Sequence, residues 1–424
     1  MGSFCCGSSD AYSKLLEKQM DIEIQEHMKE CKRQNQNEKK LLLLGTDNSG
    51  KSTLFKDLRL IDGQRFQERE KLRSKQLIRQ TMVSMMIALL QTSVTLHNDD
   101  PSEVAFHQID FEREDVSDYI KTLLKFSGTN FADEEEVDNT SLENLGTAME
   151  SLWKMSLVKT TFTQKSKWYF QDNLDYFFSK AKTIMHCDYV PDNDDILRIR
   201  SDSVGVQEMV FEKWGTIFRI YDIGGLYNEC NRWTFEIFEH VHVVVYVAAL
   251  NHFEYVSLEK EPKNLMHAAL DMFDHVCNTK WFEQADLKKK KKKRKNMPTK
   301  TNTNEITQTH VCEYDLFREA IGTGSSLQVC FSHEKTGWSG EEWNTRFDYS
   351  PKTDAPYTED PLFLTSYNAA LDFIRNQFLQ LNRVNKEIFS HTTCATDTRQ
   401  IDIIVGDVQD FIIRNNLKKG GLII

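Results

Sequence analysis

The sequence predicts an α/β fold, in which a sheet carrying a glycine-rich loop is flanked by helices, with an inserted all-helical domain and an N-terminal helix. Three observations lead to this prediction. Four leucines at 41–44 run directly into a G-x-x-x-x-G-K-S turn. Residues 66–189 carry apolar side chains at helical spacing without a clear strand pattern. Strand patterns resume at residue 206 and include the apolar run 243–250, which is typical of a buried strand in a parallel sheet.

The glycine-rich turn after the leucine run has the residue types that hold a polyphosphate. Gly45 and Gly50 let the backbone bend so that successive N–H groups face phosphate oxygens. Lys51 can reach the β- and γ-phosphates, and the Ser52 hydroxyl can ligate Mg²⁺. A helix predicted from Leu54 onward would add a favourable dipole for an anion. The turn therefore predicts a site for a nucleoside phosphate, or descent from a protein that had one.

Length, charge and cysteine use narrow the class of protein. A chain of 424 residues has room for two or three domains with a sizeable core. Its net charge of −11 argues against nucleic acid as a partner, because neutralising phosphates needs a basic face. The sequence has no continuous apolar run of about 18 residues and no secretory leader, so we expect neither a membrane span nor secretion. Nine scattered cysteines fit a reducing compartment.

The N-terminus has the features of a lipid-anchored segment. Gly2 is at the acceptor position for myristate, and Cys5 and Cys6 are candidate palmitoylation sites. One acyl chain holds a protein only marginally at a membrane, so a second anchor is physically reasonable. A terminus with incidental cysteines remains the alternative. Residues 13–37 are predicted to form a mostly polar helix that either packs against a partner or is solvated.

Three segments follow from these patterns. Residues 1–38 form the lipidated N-terminal helix, residues 39–64 and 190–424 the nucleotide-binding domain, and residues 65–189 the inserted helical domain. Residues 206–214 and 216–222 are predicted to form a hairpin around Gly215. Near the C-terminus, apolar residues at helical spacing predict a helix that packs on the sheet: Ile401, Ile404, Val405, Val408, Phe411 and Ile412.

Several short motifs occur in the order found in one family, the α subunits of heterotrimeric G proteins, which the chain resembles over nearly its whole length. The matching stretches are the phosphate loop at 45–53, D-I-L-R-I-R at 195–200, D-I-G-G at 222–225, N-L-M-H at 264–267, N-T-K-W-F at 278–282, T-C-A-T-D-T at 393–398 and I-R-N-N-L at 413–417. Each motif is weak alone, but their common order makes the resemblance specific.

The resemblance implies a GTPase-like domain with the helical domain as a lid over the nucleotide. It implies GTP or GDP with Mg²⁺ as ligands, cycling between the two nucleotide forms, and a position at the cytoplasmic face of the plasma membrane. The implied partners are a βγ dimer, a seven-helix receptor at the C-terminus and an unknown effector. The implied nucleotide contacts are Gly45, Asn48, Ser49, Gly50, Lys51, Ser52, Thr53, Leu197, Arg198, Asp222, Gly225, Asp315 and Ala395. Ser52 and Ser203 are the implied metal ligands, and Arg200 is the implied catalytic arginine.

The chain departs from this family at positions that carry the chemistry. Asp47 occupies the position of a loop glycine, and Asn48 that of a glutamate that pairs with the switch arginine. Leu226 occupies the position of the glutamine that orients the attacking water. Ser203 replaces a threonine but keeps the hydroxyl. We therefore expect slow GTP hydrolysis even though Arg200 is present.

The guanine-reading motif also differs from that of the family. Aligning D-L-F at 315–317 puts Cys312 and Glu313 where the family has asparagine and lysine, and leaves Asp315 in place. The aspartate that meets that lysine across the nucleotide would fall near Met155. These changes predict reduced base selectivity.

Two stretches look unlike the family. Residues 288–295 are eight consecutive basic residues, which could be a solvated insertion, a contact with anionic lipid or a nuclear targeting signal. Residues 333–361 contain Trp338, Trp343 and Tyr349 among polar residues and are predicted to form a surface loop.

Two other hypotheses for the function of the whole chain remain open. One is an ATPase or kinase that uses the same phosphate loop. The other is a scaffold that does not cycle between nucleotide forms and binds βγ or receptor. The analysis of nucleotide bound to the purified protein distinguishes all three.

Overall fold

The computed structural model describes residues 38–99, 114–131, 138–163, 171, 173–200, 206–213, 215–223, 241–256, 263–278, 306–312, 321, 327, 330–331, 361–384, 386–394, 405–411 and 413–414. The predicted N-terminal helix, the basic run 288–295 and most of the predicted surface loop 333–361 lie outside these residues.

The described strands form one six-stranded sheet in the order β2-β3-β1-β4-β5-β6. Their bounds are Glu38–Leu44 (β1), Val206–Lys213 (β2), Thr216–Ile223 (β3), Val243–Ala249 (β4), Ile306–Cys312 (β5) and Ile388–Thr393 (β6). Strands β3, β1, β4, β5 and β6 pair in parallel, and β2 pairs antiparallel with β3. The β2–β3 hairpin turns at Gly215, whose φ of 72° is left-handed, as the sequence predicted.

Helices flank the sheet, and most of the described residues between β1 and β2 are helical. Within the described residues, the α-helices between β1 and β2 are Lys51–Ile61 (α1), Glu68–Asp99 (α2), Glu114–Lys125 (α3), Asn139–Trp153 (α4), Ser156–Thr163 (α5), Leu174–Ser179 (α6), Ala181–Ile184 (α7) and Asn193–Arg198 (α8). A 3-10 helix, Leu250–Phe253, follows β4, and two further helices are Leu265–Asn278 (α9) and Pro361–Gln380 (α10). Residues 405–411 are also helical.

The two faces of the sheet pack against different helices because successive strand residues point to opposite sides. Leu42 and Leu44 of β1 belong to a core cluster with α9 and α10. Leu41 and Leu43 belong to a second cluster with α1 and with Val405, Val408 and Phe411. The predicted packing of the last helix on the sheet is thus confirmed for these three residues, whereas Ile401, Ile404 and Ile412 lie outside the described residues.

The helices between residues 68 and 189 share a hydrophobic cluster of their own, which Ile199 joins. Ile78, Met82, Met86 and Leu89 of α2 are completely buried there. Residues Glu68–Thr95 are long and apolar enough to cross a membrane by length and composition, but 44% of the most apolar part is buried. Packing against neighbouring helices accounts for that composition. The domain boundaries given above stay a prediction.

Candidate functional site

The carboxyl ends of four neighbouring parallel strands converge at one edge of the sheet. They are the ends of β3, β1, β4 and β5, at Ile223, Leu44, Ala249 and Cys312. In open α/β sheets, ligands bind in the crevice beyond this edge. The glycine-rich loop follows β1, so the sheet brings it to the edge where a ligand is expected.

The backbone of the loop requires glycine at two positions. A Cβ atom on Gly45 would lie 2.1 Å from the carbonyl oxygen of Val247, and Gly50 has a left-handed φ of 89°. Asn48 also has positive φ, at 59°, which asparagine tolerates better than most residues. Helix α1 begins at Lys51, directly after Gly50. The expected start at Leu54 was therefore wrong by three residues, because Gly50 turns the chain into the helix immediately.

The Lys51 ammonium group lies inside the curve of the loop. Its Nζ atom donates to the carbonyl oxygens of Gly45, at 2.9 Å, and Thr46, at 2.6 Å, and to Ser49 Oγ, at 3.4 Å. Lys51 is only 6% exposed, and Ser49 is fully buried. The ammonium is therefore held within the loop that leads into α1, whose first backbone N–H groups have no partner within the helix. This combination of donors and positive charge suits a polyphosphate.

Ser52 and Asp222 bring two oxygen ligands together beside this loop. Ser52 Oγ lies 3.2 Å from Oδ2 of Asp222, and Asp222 is completely buried. Hydroxyl and carboxylate oxygens are the donors that Mg²⁺ prefers, and this spacing is close to that of adjacent ligands at about 2.0–2.1 Å from an octahedral ion. The residues present therefore fit a magnesium ion held by Ser52, with Asp222 as a direct or water-mediated partner.

Two side chains of α1 bind the segment that contains Leu197 and Arg198. Thr53 Oγ1 donates to the Leu197 carbonyl at 3.4 Å, and Lys56 Nζ donates to the carbonyls of Ile196 and Ile199, both at 3.1 Å. Burial lowers the pKa of Lys56 to about 8. These contacts hold α8 against the helix that begins at the phosphate loop.

Asp195 anchors α8 from its other side. The carboxylate accepts from Tyr176 Oη at 2.8 Å, Tyr189 Oη at 2.9 Å and Lys180 Nζ at 3.0 Å. It also completes a capping box with Asp192 at the start of the helix. The pKa of Asp195 lies below its ordinary value. Burial alone would raise this pKa, but the hydrogen bonds that the carboxylate accepts, chiefly from Lys180 and Tyr176, outweigh that effect. The Arg198 guanidinium lies 4.6 Å from the centre of the Tyr176 ring, in a cation–π contact.

His252, which the sequence analysis did not single out, lies behind the loop in the 3-10 helix after β4. It is 3% exposed and forms a hydrogen bond with the backbone of Asn48. Burial, followed by the charge of Arg200, lowers its pKa to about 3, so the imidazole is neutral near pH 7. The sequence could have pointed to His252 through its position, because this residue follows a fully buried strand at the edge of the sheet where a ligand is expected.

Some of the other predicted site residues lie in the described part of the chain, and the rest lie outside it. Arg200 is described and is close enough to His252 to affect its pKa. Asp47 is exposed on the loop, and Met155 packs against the helical cluster. Cys312 pairs with Thr393 at the end of β5, beside the predicted guanine-contacting segment. The predicted residues outside the described part of the chain are Gly2, Cys5, Cys6, Ser203, Gly225, Leu226, Glu313, Asp315 and Ala395.

Comparison with known proteins agrees with this geometry. The model of the family described as "G-protein alpha subunit" matches residues 18–288, which is more than half of the chain. A guanine nucleotide-binding protein subunit alpha from Sporothrix schenckii is 28% identical over 403 residues, covering 95% of each chain. One from Cochliobolus heterostrophus is 28% identical over 408 residues, covering 96% of this chain and 97% of its own. The alpha-1 subunit of Neurospora crassa is also 28% identical, over 95% of each chain. The chain belongs to the family of G-protein alpha subunits.

Proposed function

We propose that this G-protein alpha subunit binds GDP and GTP with Mg²⁺ at the carboxyl edge of its sheet. The observation that carries the proposal is the contact between Ser52 and Asp222, at 3.2 Å, beside an ammonium group held inside the glycine-rich loop. Lys51 and the loop N–H groups bind the phosphates, and the metal brings additional positive charge to them. Asp315 and the Ala395 backbone contact the base, while Leu197 and Arg198 lie beside the ribose and phosphates.

The chain acts in a membrane-bound signalling complex. We assign a βγ dimer to the N-terminal helix and second switch, a seven-helix receptor to the C-terminus, and an effector of unknown identity to the GTP-bound form. Gly2, with Cys5 or Cys6, anchors the protein to the cytoplasmic face of the plasma membrane. Family membership supports the dimer, the receptor and the membrane in general terms.

GTP hydrolysis by this subunit is slow. Leu226 offers no hydrogen bond to an attacking water, and phosphoryl transfer depends on positioning that nucleophile. The exposed Asp47 adds a negative charge to the loop that surrounds the phosphates. Arg200 stabilises transition-state charge but does not align a water molecule.

Nucleotide analysis of the purified full-length protein tests the binding site. Mass spectrometry of the denatured protein should detect GDP or GTP, and Lys51→Ala should remove it. Lys121→Ala is the matched control, because this lysine is exposed and pairs with Asp118 on α3. An empty wild-type pocket with intact βγ binding would overturn the proposal in favour of a scaffold. ATP in place of guanine nucleotide would instead favour the ATPase or kinase.

A further inference from the structure

A second group of chemically reactive side chains lies away from the phosphate loop, in the turn between α7 and α8. His186, Cys187 and Asp188 place a ring nitrogen, a thiol sulfur and a carboxylate oxygen all within 4.8 Å of one another. His186 Nδ1 lies 3.8 Å from Cys187 Sγ and 3.8 Å from Asp188 Oδ2. Neighbouring donor atoms around a tetrahedral zinc ion are about 3.3–3.6 Å apart, so small side-chain rotations suffice to close the site.

Two side chains of α2 hold the backbone of this turn in place. The guanidinium of Arg79, 3% exposed, donates from Nε to the Ile184 carbonyl at 3.0 Å and from Nη2 to the His186 carbonyl at 2.7 Å. Lys75 Nζ donates to the Cys187 carbonyl at 3.2 Å. Because a buried and a half-buried cation bind the carbonyls of Ile184, His186 and Cys187, the backbone that carries the donor side chains is fixed before any ion binds.

The histidine has the tautomer and the partner that a metal ligand needs. The Asp188 backbone N–H donates to Nδ1 of His186 at 3.3 Å, which leaves the proton of the neutral ring on Nε2. A metal ion would replace this hydrogen bond at the Nδ1 lone pair, and the Asp188 N–H would then bond to water. Nε2 faces Glu143 of α4, whose Oε1 atom is 3.9 Å away. Metal-bound histidines commonly donate their second ring N–H to a carboxylate, which orients the ring and raises its basicity.

Solvent can reach this cluster and complete its coordination. The side chains of His186 and Asp188 are 48% and 88% exposed. An open cavity of about 390 Å³ adjoins them, lined by Lys182, Thr183, His186, Asp188 and Tyr189. Among the described lining residues, the lysine has an anionic partner, since Lys182 Nζ lies 2.8 Å from Glu150 Oε2. The cavity thus has room for a water ligand, and its cationic group is already paired.

We propose that His186, Cys187 and Asp188 form a zinc-binding site, with Glu143 orienting the histidine and water in the fourth position. The mixed nitrogen, sulfur and oxygen donor set selects a borderline-soft ion over Mg²⁺ or Ca²⁺, which prefer oxygen donors alone. On binding, the thiol loses its proton to solvent, and thiolate and carboxylate together balance the charge of the ion. The site is independent of the nucleotide, so its test does not require activity.

Titration of the metal-free full-length protein with Co²⁺ tests the proposal, because thiolate ligation produces a charge-transfer band in the near ultraviolet. One equivalent should produce the band, and Zn²⁺ should displace it. Cys187→Ser should abolish this band, whereas Cys394→Ser, at a half-buried cysteine elsewhere, should keep it. A band that is unchanged in Cys187→Ser, or absent from the wild type, would overturn the proposal.

The role of Glu143 is tested by the isosteric change Glu143→Gln. Loss of a carboxylate behind a metal-bound histidine typically weakens binding about 10–100-fold, so we expect at least a tenfold rise in the dissociation constant for Zn²⁺. Glu208→Gln, on strand β2, is the control and should leave the constant unchanged. Circular dichroism and thermal unfolding establish that each variant is folded. Equal affinities of wild type and Glu143→Gln would overturn the assigned role of the glutamate.

Discussion

Ser52 Oγ and Asp222 Oδ2 are 3.2 Å apart, although the two residues are separated by 170 positions in the chain. The parallel pairing of β1 with β3, in which Leu43 is opposite Asp222, creates this proximity. Helix α1 begins shortly beyond the end of β1, so its first turn lies against the end of β3. The oxygen pair that suits a metal is therefore a product of sheet topology.

The first prediction concerns GTP hydrolysis. Wild type should be nearly inert in single-turnover hydrolysis of bound GTP, because Leu226 cannot hydrogen-bond the attacking water and Asp47 adds negative charge close to the phosphate oxygens. Leu226→Gln combined with Asp47→Gly should raise the hydrolysis rate at least about tenfold, which corresponds to lowering the activation free energy by about 1.4 kcal/mol. Leu124→Gln, at an exposed leucine of α3, serves as the control and should have no effect. Ordinary turnover by the wild type would show the prediction to be wrong.

The second prediction concerns membrane attachment. Gly2→Ala removes the acceptor for myristate, so the variant should move from the membrane fraction to the cytosol of fractionated cells. Gly7→Ala, in the same segment but away from the acceptor position, should remain at the membrane. If Gly2→Ala also stays there, the anchor is the basic run 288–295 or a partner protein.

The third prediction concerns the stability that Asp195 provides. Asp195→Asn removes a negatively charged carboxylate that accepts hydrogen bonds from two tyrosines and a lysine. Hydrogen bonds to charged groups contribute roughly 1.5–3 kcal/mol each to stability. We expect the free energy of unfolding, measured with urea, to fall by about 2 kcal/mol or more. Asp194→Asn, its exposed neighbour, should change it by less than about 0.5 kcal/mol.

The pH dependence of this contribution has a definite sign. Because the folded protein lowers the pKa of Asp195 below its ordinary value of 3.8, the stabilisation is fully present above that value. It is lost as the pH falls through the lower pKa of the folded state. The wild type and Asp195→Asn should therefore converge in stability at acidic pH, and a constant difference down to that range would contradict the assignment.

The fourth prediction concerns His252. Its pKa falls from 6.5 to about 3 in the folded protein, so between these values the unfolded chain binds a proton that the folded chain does not. The free energy of unfolding should therefore decrease as the pH falls below 6.5, by up to about 1.4 kcal/mol per pH unit from this residue. His252→Gln should remove that part of the slope, whereas His275→Gln, at an exposed histidine of α9, should not. Equal slopes for wild type and His252→Gln would contradict the prediction.

Local sequence patterns were sufficient to predict the elements that depend only on residues near one another in the chain. The alternation of Leu41 to Leu44 between two sheet faces follows from the period of a strand. The hairpin at Gly215 follows from the left-handed turn that glycine permits. The α/β class and the family could likewise be inferred from motifs in order along the chain, and the match over residues 18–288 confirms the family. The domain boundaries and the roles of the site residues stay predictions.

The sequence by itself determined that a phosphate loop follows a buried strand and that Asp47, Asn48 and Leu226 depart from the family pattern. Only the tertiary structure decided that Ser52 meets Asp222, that His252 lies behind Asn48, and that Arg79 supports the turn with His186. The physical reason is that periodicity and turn chemistry act over a few residues. Contacts between distant residues depend on strand order and register, which result from packing the whole core.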